Sequence, residues 1–403
     1  MSKIVIPYRV SCGLLKPNSD THTMKHFRNK QGFYQHISSP GRVLVIIATL
    51  VLVSGCSTVG YYSQIVSGHM KIVLGKRSLA DVASDENIDE SLKHRLTVAQ
   101  KARQFGIKEL GLPNNESYTS FYDTGKRFVT WNVVAAGEFS FVPRTWCFPI
   151  AGCVSYRGYY SEKSAQEYAD NLAAEEGLDV AVNGATAYST LGWFKDPLLN
   201  TMLERSDPSI ASLLFHELAH QQLYVGDDST FNESYASFVE KVGLNQWRQN
   251  EAIVNPQPDS ELVNVELEAR KKRREQFIAL LSTVRSDLET LYELEIEDES
   301  KREQKKQRFA QMRADYAALK RSWDDYEGYD HWFSTEINNA RLVSVSTYNE
   351  YIPAFEVMFD QSGGSLAQFY QVAKEVAELP AEERTAVMQE LLGQSSQTSV
   401  VSQ

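Results

Sequence analysis

Long hydrophobic runs are scarce in this sequence. Its 403 residues have a mean hydropathy of −0.36 and contain a single strongly apolar run, residues 43–53. A membrane helix needs about 20 consecutive apolar residues, so the sequence excludes a protein with several membrane spans. Cysteine is scarce as well, with 4 in the chain. No His or third Cys lies near Cys147 and Cys153, which argues against a zinc ribbon.

Basic residues are scarce outside the amino terminus. Residues 1–55 hold seven Lys or Arg and one acid, Asp20, so the net charge of −11 becomes −17 for the rest of the chain. A body with this charge repels phosphates, which argues against nucleic acid as a partner. With 42% hydrophobic residues the chain can bury a substantial core. At about 150 residues per domain its length predicts two or three units.

The apolar run at the amino terminus is typical of an export signal. It follows Arg42 and is too short to span a bilayer comfortably. It leads into the sequence VSGC at residues 53–56, which resembles a bacterial lipobox. We therefore expect residues 1–55 to be a lipoprotein signal peptide, with Met24 as an alternative start, and Cys56 to carry lipid. An ordinary signal peptide or an N-terminal anchor is the alternative.

This resemblance implies a compartment. A residue other than Asp after the lipidated cysteine, here Ser57, points to the periplasmic face of the outer membrane of a bacterial cell envelope. The partner there is the membrane, through the lipid on Cys56. An oxidising periplasm would allow Cys147 and Cys153 to form a disulfide, and two buried thiols are the alternative.

Residue patterns predict a mostly helical α+β fold with a small, mainly antiparallel sheet. Val, Tyr, Phe, Trp and Thr are enriched in residues 117–160, as in strands. Two series of apolar residues, spaced alternately by four and three, flank a charged stretch at 297–306, which favours an inserted antiparallel coiled-coil hairpin over one long helix. Residues 251–260 read as a linker. The predicted segments are an N-terminal helical segment (56–116), a strand-rich and motif-bearing core (117–250), the hairpin (261–327), a C-terminal helical region completing the core (328–392) and a disordered tail (393–403).

Two consecutive helices are predicted in the second half of the core. The first starts at Asp207 and Pro208, a capping side chain followed by the residue that favours the first helical position, and continues to about Tyr224. The second opens near Ser229 and ends at Gly243.

The first of these helices contains the sequence HELAH. His216 and His220 are four residues apart, so both imidazoles project from one helical face and can reach one metal ion, while Glu217 points beside it. This pattern predicts a catalytic Zn²⁺ site with Glu217 as general base. Two ordinary buried histidines are the alternative.

A catalytic zinc needs a third protein ligand. The spacing after His220 does not fit the extended metzincin pattern. Glu233, in the first turn of the next helix, is the preferred candidate, over Asp227, Asp228 and Glu240. Preceded by Asn232, it resembles the Asn-Glu signature of gluzincin metallopeptidases. The twelve residues between His220 and Glu233 are fewer than in thermolysin-like enzymes.

The predicted chemistry is attack of a water molecule on a peptide carbonyl, with Glu217 accepting the proton and passing it to the leaving amine. By gluzincin analogy a Tyr or His from outside the motif stabilises the oxyanion. Tyr348 is the first candidate, and Tyr235 and His331 are the others. Residues 186–193 (TAYSTLGW) read as a strand, either internal or at an edge where it could pair with an extended peptide.

The whole chain resembles a bacterial family of lipoproteins described as predicted aminopeptidases. The resemblance lies in CFPIAGCVSYRGYY, AYSTLGWFKDPLLNTM, LLFHELAHQQLY with FNESYASFVE, and NNARLVSVSTYNEYIPAF. It implies a zincin-like metallopeptidase core, zinc and removal of residues from free amino termini of peptide substrates. The alternatives are a zinc endopeptidase of the envelope, or a non-enzymatic lipoprotein that binds a protein partner through the helical hairpin.

Overall fold

The fold is described from a computed structural model over residues 59–148, 152–254 and 260–401. Residues Gly60–Gln403 belong to one compact unit. The predicted signal peptide, Met24 and Cys56 all lie outside the described residues, so their assignments stay predictions.

Fourteen helices within the described residues account for most of the chain. They are α1 (described over 59–75), α2 (Leu79–Ala83), α3 (Glu90–Lys108), α4 (Glu162–Glu176), α5 (Asn200–Leu203), α6 (Asp207–Gln222), α7 (Ser229–Val254), α8 (Ser260–Glu293), α9 (Asp298–Ser322), α10 (Asp330–Phe333), α11 (Asn339–Asn349), α12 (Ile352–Gln361), α13 (Leu366–Ala377) and α14 (Ala381–Val401).

The strands are short and form three small sheets. They are β1 (Arg77–Ser78), β2 (Ser120–Tyr122), β3 (Thr130–Ala136), β4 (Trp146–Phe148), β5 (Gly152–Val154), β6 (Arg157–Tyr159), β7 (Asp179–Ala185) and β8 (Leu198–Leu199). The largest sheet has the order β6-β3-β7 and is antiparallel throughout, and β4 and β5 form an antiparallel pair. In the third sheet β2 pairs antiparallel with β1 and parallel with β8. The prediction of a mostly helical α+β fold with small, mainly antiparallel sheets is confirmed.

The main core is built around α6, which packs against α3 on one side and α7 on the other. Aromatic rings fill the space between α6, α7 and the C-terminal helices, where Phe215, Phe231, Phe355 and Phe369 are all fully buried. Burial of such a side chain contributes about 1.5–3 kcal/mol. Helix α6 is therefore fixed in the interior from several directions.

Helices α8 and α9 pack against each other as a hairpin whose turn lies at residues 294–297. The predicted apolar seam is buried in a second core, which also includes residues of α10, α11 and β7. Its buried members in the hairpin are Phe277, Leu281, Val284, Leu288, Leu291, Phe309, Met312, Tyr316 and Trp323. A charged pair, Arg308 Nε to Asp287 Oδ2 at 2.7 Å, joins the two helices outside the seam.

Three local predictions differ from the structure. Residues 186–193 form no strand, because the chain turns there with Leu191 at φ 55°. Helix α7 continues past Gly243 to Val254, because this glycine lies where α7 meets Phe215 of α6 and marks a close helix contact instead of a stop. Helix α14 extends to Val401, where a disordered tail was predicted from 393 onward. At the start of that stretch Leu391 is buried and the Gln394 side chain accepts a hydrogen bond from Gln361 at 3.0 Å.

Among the described residues, no helix combines the length and the apolar character that crossing a membrane requires.

Candidate metal centre

Helix α6 carries both histidines on a buried face. It runs from Asp207 to Gln222, with Pro208 in the first turn. The N-cap is Ser206 and Asp207 is the first helical residue, so the helix starts one residue earlier than the predicted Asp207 cap implies. His216, Glu217 and His220 are each 8% exposed. Burying three ionisable side chains on one turn of helix is costly unless they have charged or polar partners, so the groups that face them decide what the site does.

The turn after α6 brings α7 back alongside it. The Asp228 carboxylate accepts the Phe231 amide at 3.0 Å and caps α7. The Asn232 side chain accepts the Val225 amide at 2.8 Å and donates to the Val225 carbonyl at 2.7 Å. These bonds fix the reversal of the chain. They place Glu233, the residue after Asn232, against the histidine face of α6.

Three side-chain atoms converge between the two helices. His216 Nε2 and His220 Nε2 are 3.1 Å apart, and Glu233 Oε2 lies 3.4 Å from the first and 3.5 Å from the second. His216, His220 and Glu233 form a buried group that could hold a metal ion. The structure thus brings together the three residues that the sequence selected as ligands.

The spacing of these atoms fits zinc. A tetrahedral zinc with bonds of about 2.0–2.1 Å holds its ligand atoms about 3.3–3.4 Å apart. The three observed separations, 3.1, 3.4 and 3.5 Å, lie close to this value. Glu233 Oε2 is buried and has no hydrogen-bond donor, so a cation would supply the partner that this oxygen lacks.

Glu240 lies two turns beyond Glu233 on α7 and faces the other side of His216. Its Oε2 is 3.1 Å from His216 Nδ1, and its Oε1 accepts a hydrogen bond from the Ser212 hydroxyl. Burial alone would lower the pKa of His216, but the Glu233 and Glu240 carboxylates offset this and raise it well above its ordinary value. A carboxylate on Nδ1 leaves Nε2 to face a metal, and Glu240 is not part of the group of His216, His220 and Glu233 that could hold one.

Glu217 is held in the same buried space. Burial raises the pKa of its carboxyl above the usual range, while His216 and His220 act in the opposite direction. For Glu233, burial would also raise the pKa, but the two histidines outweigh it and lower it to about 2. The two carboxyls therefore differ in basicity: Glu233 remains ionised, as a ligand must, and Glu217 has the greater affinity for a proton.

Three tyrosines surround Glu233. Tyr348 of α11 lies with its ring 6.2 Å from the His216 ring, and the charge of Glu233 together with burial raises its pKa well above 10. Tyr156 and Tyr224 are also close enough for Glu233 to raise their pKa values, in addition to the effect of burial. Sequence reasoning selected Tyr348 and missed the other two, although Tyr224 lies four residues after His220, a spacing that could have indicated it. Tyr156 belongs to the strand-rich segment and has no spacing that relates it to the motif.

The remaining candidates have other roles. Asp227 accepts the Cys153 amide, and Asp228 caps α7 and pairs with Arg384 at 2.8 Å. Tyr235 is buried in the main core, with its ring stacked on Phe369. His331 lies exposed on the short helix α10.

A disulfide braces the loop that carries Asp227. Cys147 and Cys153 are bonded and lie opposite each other in the β4–β5 pair. From this hairpin the Cys153 amide donates to Asp227, and the Ser155 amide donates to Ser229 Oγ at 3.1 Å. The α6–α7 turn is therefore supported by a crosslinked hairpin as well as by Asn232.

Comparison with family models identifies the chain. The model described as "Putative aminopeptidase" matches residues 60–388. The chain belongs to this family. The match covers the compact unit almost to its end and includes the candidate metal centre. No curated protein and no solved structure matched in the same comparisons. Membership of the putative aminopeptidase family supports peptidase activity.

Proposed function

We propose that the protein is a zinc-dependent metallopeptidase that removes residues from the amino termini of peptides. The observation that carries this proposal is the triangle of His216, His220 and Glu233 ligand atoms, whose sides fit tetrahedral zinc, with Glu217 buried next to it. Three protein ligands leave one position of a tetrahedron free, as in catalytic zinc sites. A closed structural site would need a fourth ligand, and the described residues supply none.

Each residue has a separate role in this proposal. His216, His220 and Glu233 would hold zinc, which when bound polarises a carbonyl and lowers the pKa of a water ligand to about 7. Glu217 accepts the proton from the attacking water and delivers it to the leaving amine. The raised pKa of its buried carboxyl favours this transfer.

We propose that Tyr348 assists the reaction. Its ring lies beside His216, on the helix α11 that packs against α7. We assign its hydroxyl to donate a hydrogen bond to the oxygen that becomes negative when the carbonyl is attacked. The pairing of α6 and α7 around the ligands likewise supports a zincin-like core.

The choice of an aminopeptidase over an endopeptidase rests on the family description. We further propose that the mature protein is tethered by lipid on Cys56 to the periplasmic face of the outer membrane, which rests on the VSGC sequence at residues 53–56.

The test uses soluble protein starting at residue 57, which contains the whole compact unit. Zinc content and hydrolysis of a peptide library are measured for this protein, Glu217→Gln, His216→Ala and the exposed control Glu175→Gln. We expect Glu217→Gln to keep zinc and lose about 10²–10⁴-fold in kcat. His216→Ala should lose zinc, and Glu175→Gln should match the unmodified protein.

Two results would overturn the proposal. One is equal hydrolysis by the unmodified protein and Glu217→Gln, and the other is no hydrolysis by protein fully loaded with zinc. Peptides with acetylated amino termini provide the second arm. Cleavage of these blocked peptides would identify an endopeptidase and contradict the exopeptidase assignment alone.

A further inference from the structure

Helix α1 exposes a line of apolar side chains. Tyr62, Val66, Met70 and Leu74 are 38%, 59%, 42% and 77% exposed. They are spaced by four residues, so they follow one side of the helix. The opposite side is packed, with Tyr61 and Ile72 at 8% and 3% exposure. The exposed apolar residues therefore lie on a different side of α1 from the residues that pack against the rest of the protein.

The loop between β7 and β8 extends this line with two aromatic rings. Trp193 is 70% exposed and Phe194 54%. The loop is fixed to α1, because the Phe194 ring lies 4.9 Å from His69 and Lys76 donates to the Lys195 carbonyl at 2.9 Å. We call the four α1 residues together with Trp193 and Phe194 the apolar face.

The segment that carries α1 differs in charge from the rest of the protein, although Glu116 pairs with Lys195 beside the loop of the apolar face. Residues 57–80 contain no Asp or Glu, although the chain beyond residue 55 carries a net −17. The same stretch contains Lys71, Lys76 and Arg77. Arg77 pairs with Asp85, and Lys71 is exposed on α1 between Met70 and Leu74. An acidic protein thus presents its apolar face in an acid-free, basic segment.

We propose that the apolar face lies on the surface of a phospholipid membrane. Exposed apolar side chains on one side of a helix, aromatic rings and nearby lysine are the features by which a helix lies in the headgroup region. Trp is enriched at that depth because one part of the ring is apolar and the other polar. The basic residues match the anionic headgroups.

The position of α1 in the chain supports the same occupant. The described part of α1 starts at residue 59, three residues after Cys56, the cysteine proposed above to carry lipid. An acyl anchor there would hold α1 at the membrane surface, where the apolar face supplies a second attachment. The proposal concerns the face itself, so it is tested on protein that has no acyl chain.

Binding of the apolar face to a membrane would also fix the orientation of the protein. The loop that carries Trp193 adjoins α6, since a Cβ built on Gly192 would lie 4.0 Å from Cβ of Gln221, one residue after His220. Docking of the apolar face would therefore turn this side of the motif helix toward the membrane and restrict the directions from which a substrate can approach.

The experiment measures co-sedimentation of residues 57–403 with vesicles of phosphatidylethanolamine and phosphatidylglycerol, and with vesicles of phosphatidylcholine alone. The variants are Val66→Glu, Trp193→Ser and Lys71→Glu. Val265→Glu on α8 is the matched control, because Val265 is 63% exposed and Val66 59%. Circular dichroism and urea unfolding check that each variant is folded.

We expect the unmodified protein to bind the anionic vesicles and to be released by salt. A basic residue near such a surface is worth about fivefold in binding, so the reversal at Lys71 should weaken it about 20-fold. Val66→Glu and Trp193→Ser should each weaken it about tenfold or more, with Val265→Glu unchanged.

Absence of binding to both kinds of vesicle would overturn the proposal, and so would an equal loss in Val265→Glu. Sedimentation velocity tests the other occupant, a second copy of the chain. A dimer that Val66→Glu dissociates, without vesicle binding, would assign the face to self-association. None of these readouts depends on peptide hydrolysis, so the zinc peptidase proposal stands or fails separately.

Discussion

His216 is held from both sides, and this explains how a buried imidazole can present a fixed nitrogen. Glu240 Oε2 contacts Nδ1 at 3.1 Å, while Nε2 faces His220 and Glu233. The Glu240 carboxylate is itself fixed by the Ser212 hydroxyl. When a metal ion replaces the Nε2 proton, a ring with an acidic partner on Nδ1 keeps its proton there and offers the Nε2 lone pair to the metal.

We therefore predict that Glu240→Gln lowers zinc affinity by about 10–100-fold, the usual effect of losing the carboxylate behind a histidine ligand. Competition with a chromophoric chelator measures this change. The matched control is Glu356→Gln. The Glu356 carboxylate on α12 forms an exposed ion pair with Lys241, the residue after Glu240 on α7. Unchanged affinity in Glu240→Gln, or an equal loss in Glu356→Gln, would show that Glu240 does not orient the ligand.

At the level of single residues, part of the site could be predicted from the sequence. The spacing of His216 and His220 follows from helical geometry alone, and Glu233 from a short turn that returns the chain. The role of Glu240 could not be predicted, because whether a carboxylate reaches the metal or the far side of a histidine depends on the rotation of α7 against α6. The interaxial packing of side chains sets that rotation.

The contact between α6 and α7 depends on one position without a side chain. A Cβ built on Gly243 would lie 2.6 Å from Leu110 Cδ1 and 2.9 Å from Phe215 Cδ2. Phe215 precedes His216 on α6. A shift of its ring would therefore be transmitted to the first ligand.

We predict that Gly243→Ala lowers the free energy of unfolding by about 1–3 kcal/mol through overpacking. Urea unfolding followed by circular dichroism measures it. Gly393→Ala is the control, because that glycine is exposed on α14 with nothing within 4 Å of an added Cβ. It should raise stability by about 0.5–1 kcal/mol, as expected for Gly to Ala in a helix. The same gain in both variants would contradict the close contact.

Elements with a strong repeat were predictable, and those decided by tertiary contacts were not. The buried seam of α8 and α9 could be predicted because its apolar residues recur at helical spacing over many turns. Ser161 and Gly177 mark the ends of α4 by local capping, with Gly177 at φ 64°. In contrast, Gly243 has the appearance of a helix stop, and residues 186–193 have strand composition but turn at Leu191.

At the scale of the whole molecule, the metal centre lies where separate parts of the chain meet. Helices α6 and α7 carry the group that could hold a metal ion, α11 brings Tyr348, and the crosslinked β4–β5 pair supports the turn between α6 and α7. A ligand that binds this arrangement binds the folded protein only. Its binding energy is therefore added to the stability of the fold.

We predict that zinc at about 100 times its Kd raises the free energy of unfolding by about 2.7 kcal/mol over protein treated with a chelator. Urea titrations with and without zinc measure the difference. Glu217→Gln should show the same increase, because Glu217 is not a ligand, whereas His216→Ala should show none. Equal stabilisation of His216→Ala would place the bound zinc elsewhere, since zinc held by other side chains would not depend on the imidazole that lies 3.1 Å from His220 and 3.4 Å from Glu233.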